Sequence, residues 1–170
     1  MKKTSLLITL IFFGVTVFSQ DNAVDKLFQP LQQKHALDVT AVSSKMFNLF
    51  LKNKQGKEKD ELAAVIKKLD ALKVLSKEKP ANGQELFNSS VVLMPKDYET
   101  ILAIKERSRS AQFFTKENKS GQITELVMIA WQWGRFMIVS LTGDIDLNDI
   151  SRLSQTLDMQ GLHELKKAKS

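Results

Sequence analysis

The chain has 170 residues, a formal net charge of +6, 43% hydrophobic residues and no cysteine. The missing cysteine excludes disulfides, thiol enzymes and thiolate metal sites, so core packing alone must hold the fold. The length is that of one domain once a short N-terminal segment is set aside.

That segment is residues 1–19, which have the pattern of a secretory signal peptide. A basic start (Met1-Lys2-Lys3) precedes an apolar run from Leu6 to Phe18, and small Ser19 is followed by polar residues. This order of basic, apolar and cleavable regions is typical of exported chains. The alternative is an uncleaved membrane anchor, but the run has about 13 residues where a spanning helix needs roughly 20.

We therefore predict that a single domain, residues 20–170, is exported as a soluble periplasmic or secreted protein, with no transmembrane segment after cleavage. Without a cysteine after the apolar run it is not a lipoprotein. Nucleic acid is not an expected partner of an exported domain. Lys2 and Lys3 leave with the signal, so the mature net charge is +4.

Lysines crowd residues 52–79 and 166–169. Acidic residues interleaved with the first cluster favour a solvated face, and attraction to an anionic membrane surface is the alternative.

The first half of the mature chain alternates helices and strands. A helix over 22–33 has Val24, Leu27, Phe28 and Leu31 on one face. β-branched residues predict a strand over 38–43. The remaining elements are a helix from Ser44, a lysine-rich loop over 52–59, a helix from about Asp60 and a strand over 72–77.

The second half predicts a strand-rich region. A turn at 80–83 leads to a helix over 84–93. Residues 98–106 fit either a strand, with Tyr98, Thr100, Leu102 and Ile104 on one side, or a helix, and we favour the strand. Further strands are predicted at 110–116, 123–131 and 136–142, with Gly143 ending the last, and a closing helix from Asp146 that buries Leu147, Ile150, Leu153 and Leu157 until Gly161.

The segments 126–129 and 137–139 are apolar without alternation, which is typical of central strands covered on both sides; an exposed binding face is the alternative. The fold class predicted is α+β: an antiparallel meander of four strands extended by two earlier ones, five to six in all, with helices mainly on one face.

No catalytic or metal-binding motif is evident. Asp144, Asp146 and Asn148 start like a calcium loop, but Asp149 and Gln155 stand where glycine and glutamate are needed. The two histidines, His35 and His163, lie far apart and lack partners at metal-binding spacing. We therefore expect no cofactor, no metal and no catalytic residue; a hydrolase site built from Glu117, Glu125 and Asp144 is an alternative.

One hairpin carries a possible interaction surface. Trp131 and Trp133 flank Gln132, and Arg135 follows the turn at Gly134. Such a group could stack on a ligand or lie at a membrane interface. The alternative is that one indole packs under the turn and the other is partly exposed.

Two segments resemble a known family. They are "DVTAVSSKMFNLF" at 38–50 and "GQITELVMIAWQWGRFMIVSLTGDIDLNDISRLSQTLDMQGLHEL" at 121–165. Together they are similar to the exported Bacteroidota family named domain of unknown function 4252 (DUF4252), whose motifs are structural. The resemblance implies no catalytic residues. The sequence differs from many members of that family, which resemble lipoproteins with a cysteine after the signal peptide, because it contains no cysteine.

The function expected from all this is a non-enzymatic binding or interaction protein of the cell envelope, whose partner is an unidentified envelope protein or surface. Peripheral association with an anionic membrane, through the lysine clusters and the Trp131, Trp133 and Arg135 hairpin, is the second hypothesis, and the hydrolase is the third. The sequence indicates no oligomeric state.

Overall fold

The structure is a computed structural model that describes residues 23–51 and 56–150. It contains four helices and six strands before residue 146, and residues 147–150 begin a further helix. In chain order the elements are α1 (Ala23–His35), β1 (Asp38–Ser43), α2 (Ser44–Leu51), α3 (Gly56–Ile66), β2 (Leu69–Glu78), α4 (Gly83–Val92), β3 (Glu99–Lys105), β4 (Arg109–Glu117), β5 (Ile123–Gln132) and β6 (Arg135–Ile145).

The predicted signal peptide, residues 52–55 of the predicted loop, His163 and the closing helix beyond Ile150 lie outside the described residues. The prediction of a loop over 56–59 is wrong, because α3 begins at Gly56, and the lysine and glutamate residues of this segment favour a helix. Across 23–51 and 56–150, no helix is long and apolar enough to cross a membrane.

The six strands form one antiparallel sheet in the order β1-β2-β6-β5-β4-β3. Strands β3 to β6 are the predicted meander, and β2 and β1 extend it beside β6. The α+β class is thus confirmed, and residues 99–105 form a strand rather than a helix.

Helices cover both faces of this sheet, whereas the sequence favoured mainly one. On what we call face A, Leu126, Met128 and Ala130 of β5 pack with α3 and with Ile150. On face B, the alternate residues Val127 and Ile129 pack with α1 and α4. The physical reason is the non-alternating apolar pattern of β5 and β6, because a strand that is apolar on both sides needs cover on both.

The predicted alternation of β3 is wrong because the strand contains a bulge. The register shifts between Thr100 and Leu102, so Leu102 and Ile104 pack on face A. Tyr98 instead packs in the face B core, and the Thr100 hydroxyl accepts a hydrogen bond from Gln112. The extra residue of a bulge reverses the side on which the residues before it lie.

Gly143 does not end β6, as the sequence predicted, but lies within it. Its φ is +138°, and a Cβ built on it would lie 2.3 Å from the Lys68 carbonyl oxygen. Glycine is therefore required for the close approach of β2 at this irregular pair, and the strand runs on to Ile145.

Candidate functional site

The hairpin between β5 and β6 presents a largely exposed aromatic side chain, that of Trp133. Its two turn residues, Trp133 and Gly134, both have positive φ, +51° and +74°. This is the backbone of a type I′ turn, which matches the twist of the flanking strands. The Lys79 amide donates a hydrogen bond to the Gly134 carbonyl at 2.6 Å, which fixes the turn against the end of β2. The Trp133 side chain is 65% exposed on this anchored turn.

Trp131 has a different environment from Trp133. It is half-buried on face B and packs against the core cluster beneath α4. A Cβ built on Gly83, the first residue of α4, would lie 2.6 Å from the indole ring. Glycine at that position lets α4 begin directly on the ring, so Trp131 has a structural contact with α4 while Trp133 projects from the turn.

Arg135 is the third member of the predicted surface, and it forms an ion pair with Glu78 across the β2–β6 pair. Both side chains are more than half exposed. The charge that Arg135 brings to the turn is therefore largely balanced by its neighbour. The three predicted residues lie on one hairpin, and their role as an interaction surface stays a prediction.

A polar row follows this end of face A. The β-sheet register places Gln132 between Arg135 on one side and Arg109 on the other. Arg109 pairs with Glu106 at 2.6 Å. Gln132 is 2% exposed, and its amide nitrogen has no hydrogen-bond partner within 23–51 and 56–150. Sequence reasoning missed this row because its members come from four strands or their ends.

The opposite end of the sheet contains a second polar group. The Tyr98 hydroxyl donates a hydrogen bond to the Glu125 carboxylate. Burial raises the pKa of the Tyr98 phenol, and the bond to Glu125 and its negative charge raise it further. The Lys116 ammonium lies 5.5 Å from the centre of the Tyr98 ring and 3.1 Å from Asp97, whose pKa it holds below its usual value.

The three carboxylates of the hydrolase hypothesis have separate environments. Glu125 accepts the Tyr98 hydrogen bond, and Glu117 and Asp144 are exposed. In the described part of the chain, no group of three or more His, Asp or Glu side chains is placed to hold a metal ion.

The acidic start of the last helix is a cap rather than a calcium loop. The Asp146 carboxylate accepts a hydrogen bond from the backbone N–H of Asn148 at 2.7 Å, and the Asp149 carboxylate forms an ion pair with Lys68 at 3.1 Å. Negative charge in this position favours the N-terminus of a helix. His35 contributes its carbonyl, which accepts a hydrogen bond from Lys77.

A protein-family model described as Domain of unknown function (DUF4252) matches residues 31–153. The matched segment runs from α1 to the start of the last helix and includes every strand of the sheet. No curated protein and no solved structure matches the chain.

Proposed function

The chain belongs to the DUF4252 family, and from this premise we propose that it is an exported, non-enzymatic interaction protein of the cell envelope that binds a partner protein through Trp133. The observation that carries the proposal is the conformation of this residue. Trp133 is 65% exposed and has a φ of +51°.

Both properties are unfavourable for the isolated fold. A left-handed backbone costs an L-residue with a large side chain roughly 1–2 kcal/mol, and asparagine, aspartate or glycine is preferred at this turn position. The exposed indole also leaves a large apolar surface in water. Strain and exposure at one residue are typical of sites retained for binding.

The surroundings of Trp133 suit a rigid binding element. The turn is held by the β5–β6 ladder and by the hydrogen bond from Lys79 to Gly134. Trp131 packs beneath α4 on the same hairpin. A large aromatic side chain on a preorganised element is the kind of residue that dominates protein–protein affinity.

The test uses photo-crosslinking in the exporting cell. A photoreactive phenylalanine replaces Trp133 in the full chain, and the same amino acid at Ser120, in the exposed β4–β5 turn, is the matched control. We expect a discrete adduct with one envelope protein from position 133 and none from 120. Excess wild-type protein should suppress the adduct, whereas the Trp133→Asn protein should not.

Equal adducts from both positions, or suppression by Trp133→Asn, would contradict a binding role for this side chain. Turnover of a general ester, phosphate or glycoside substrate by the purified protein would overturn the non-enzymatic part of the proposal.

Membrane association is the second candidate, favoured by one contact. The Lys79–Gly134 hydrogen bond brings an exposed lysine next to the Trp133 turn. An indole beside a cation suits an anionic interface, but each cation contributes only about 1 kcal/mol near such a surface, and Arg135 is already paired. Flotation with phosphatidylglycerol vesicles at low and high salt tests it: binding lost in salt and in Trp133→Asn would favour the membrane, and absence of binding would exclude it.

A further inference from the structure

The two edges of the sheet differ in how they are protected. Free edge strands attract other strands, and proteins usually block them with charges, prolines or bulges. The β3 edge has such features, since Glu99 and Lys105 are at its ends and a bulge interrupts it. The β1 edge (Asp38–Ser43) has no lysine, no proline and an unbroken register with β2.

The β1 strand is also exposed and neutral apart from its first residue. Of its six residues, only Val42 is partly buried, and Val39 is 40% exposed. The next element, α2, contacts β1 and exposes two apolar side chains one turn apart, Met46 at 46% and Leu49 at 55%. Within residues 23–51 and 56–150, no strand pairs with the outer side of β1. An unpaired strand edge with exposed apolar neighbours is a typical site for strand addition.

We propose that β1 is a self-association interface, at which the β1 strand of a second copy adds antiparallel about a two-fold axis midway between the Ala41 residues of the two copies. In a continuous sheet, opposite residues must lie on the same face, so one residue of each strand lies directly opposite the same residue of the second copy. Centring on Ala41 places Thr40 opposite the second copy's Val42, a β-branched pair, and Val39 opposite the second copy's Ser43.

Charge complementarity selects this register. The same pairing places Asp38 opposite Ser44, the first residue of the second copy's α2. The first turn of α2 has no acidic residue of its own. A carboxylate near a helix N-terminus is favourable, so each copy supplies the charge that the other copy's helix lacks. Centring on Thr40 would instead place Asp38 against the partly buried Val42.

The expected dimer is weak. A short strand edge with a few apolar side chains falls below the roughly 1,200 Å² that marks the low end of stable specific interfaces. We therefore expect a concentration-dependent dimer with a Kd on the order of 10 µM, measured on the purified protein by sedimentation equilibrium. A monomer at all concentrations up to about 500 µM would overturn the proposal.

The absence of cysteine gives a sharper test of the register. Residues directly opposite in an antiparallel pair have Cα atoms about 4.5–5.5 Å apart, within the range that a disulfide bridges. Ala41→Cys should therefore form a disulfide-linked dimer under mild oxidation. Ala103→Cys is the matched control, because Ala103 is also an exposed alanine on an edge strand.

We expect oxidation of Ala41→Cys to be at least about tenfold faster than that of Ala103→Cys. Ala41→Lys should raise the Kd at least about tenfold by opposing like charges, Ala103→Lys should leave it unchanged, and mixing Ala41→Lys with Ala41→Glu should restore association. Equal oxidation rates for the two cysteine variants, or equal effects of the two lysine variants, would overturn the proposal. So would cross-linking of Ala41→Cys to another protein in place of a second copy.

Discussion

Replacing Gly83 with alanine tests whether α4 begins directly on Trp131. In an ordinary helix this change is favourable by about 0.5–1 kcal/mol, because glycine loses more backbone entropy on folding. Here the new Cβ would lie 2.6, 2.7 and 2.8 Å from Cε3, Cδ2 and Cζ3 of the indole. Three overlaps with a rigid ring require α4 or the ring to move, and overpacking of this kind costs about 1–3 kcal/mol. We expect a net loss of about 1–2 kcal/mol in the free energy of unfolding.

A double-mutant cycle isolates the contact. Trp131→Ala alone should cost about 2 kcal/mol, less than a fully buried tryptophan, because the ring is half-buried. In that background the added methyl group meets no ring, and Gly83→Ala should become stabilising by about 0.5 kcal/mol. The coupling energy expected is therefore about 2 kcal/mol.

The assay is urea unfolding of all four proteins, followed by circular dichroism at 222 nm. The midpoint should shift at constant slope, since neither change alters the surface exposed on unfolding by much. If Gly83→Ala destabilises the protein equally with and without the Trp131 ring, the contact is not the cause and the structural role assigned to Trp131 is wrong.

Three further predictions concern single residues. Tyr98→Phe should cost about 1–3 kcal/mol, since it leaves the half-buried Glu125 carboxylate without its donor. The folded-state pKa of Tyr98 is raised above its ordinary value of 10.0, so its contribution to the free energy of unfolding is full below pH 10 and is lost as the pH rises above it. Urea unfolding from pH 8 to 11 should therefore show a steeper alkaline loss of stability in the wild type than in Tyr98→Phe. Equal slopes for the two proteins would contradict this. Gly143→Ala should destabilise the protein by about 3 kcal/mol or more, because the new Cβ meets backbone atoms. Gly121→Ala should cost about 1 kcal/mol, because Gly121 also has a positive φ but its Cβ would have no contact closer than 4.0 Å. Similar thermal midpoints for the two variants would refute the clash at Gly143. Gln132→Met should leave stability unchanged or raise it by about 1 kcal/mol, since it removes a buried amide nitrogen that lacks a partner among the described residues. A loss above about 2 kcal/mol in urea unfolding would mean that this nitrogen is hydrogen-bonded.

The local sequence pattern was sufficient to predict the strands and the central position of β5 and β6 in the sheet. The apolar run of β5 predicted cover on both sides, and residues 126–130 are at most 2% exposed. Gly134 predicted the hairpin turn, and its positive φ confirms the reason. These features depend on residues close together in the chain, which periodicity and turn preferences report directly.

The errors come from bulges and from distant contacts. One inserted residue near Thr100 reverses the faces on β3, and alternation contains no signal for it. Glycine occurs both in turns and where two backbones approach closely, so Gly143 indicated a strand end although it lies at a close approach within β6. The Tyr98–Glu125 hydrogen bond joins residues 27 apart, and the Gly83–Trp131 contact joins residues still further apart, so no local pattern predicted either.

The strand order also has a consequence for how the chain folds. Strands β3 to β6 are joined by short turns and can pair as successive hairpins, whereas β2 reaches β6 only by closing a long segment; the Glu78–Arg135 pair spans 57 residues. Loop closure of that length is slower than hairpin formation, so the meander should assemble first and wait for β2. During that interval β6 is an unpaired edge strand that exposes apolar side chains, among them Phe136, Ile138 and Val139, which are buried in the folded protein. A newly synthesised chain is therefore most exposed to aggregation through β6, and slowing the docking of β2 should lower the yield of folded protein more than it lowers the stability of the molecules that fold.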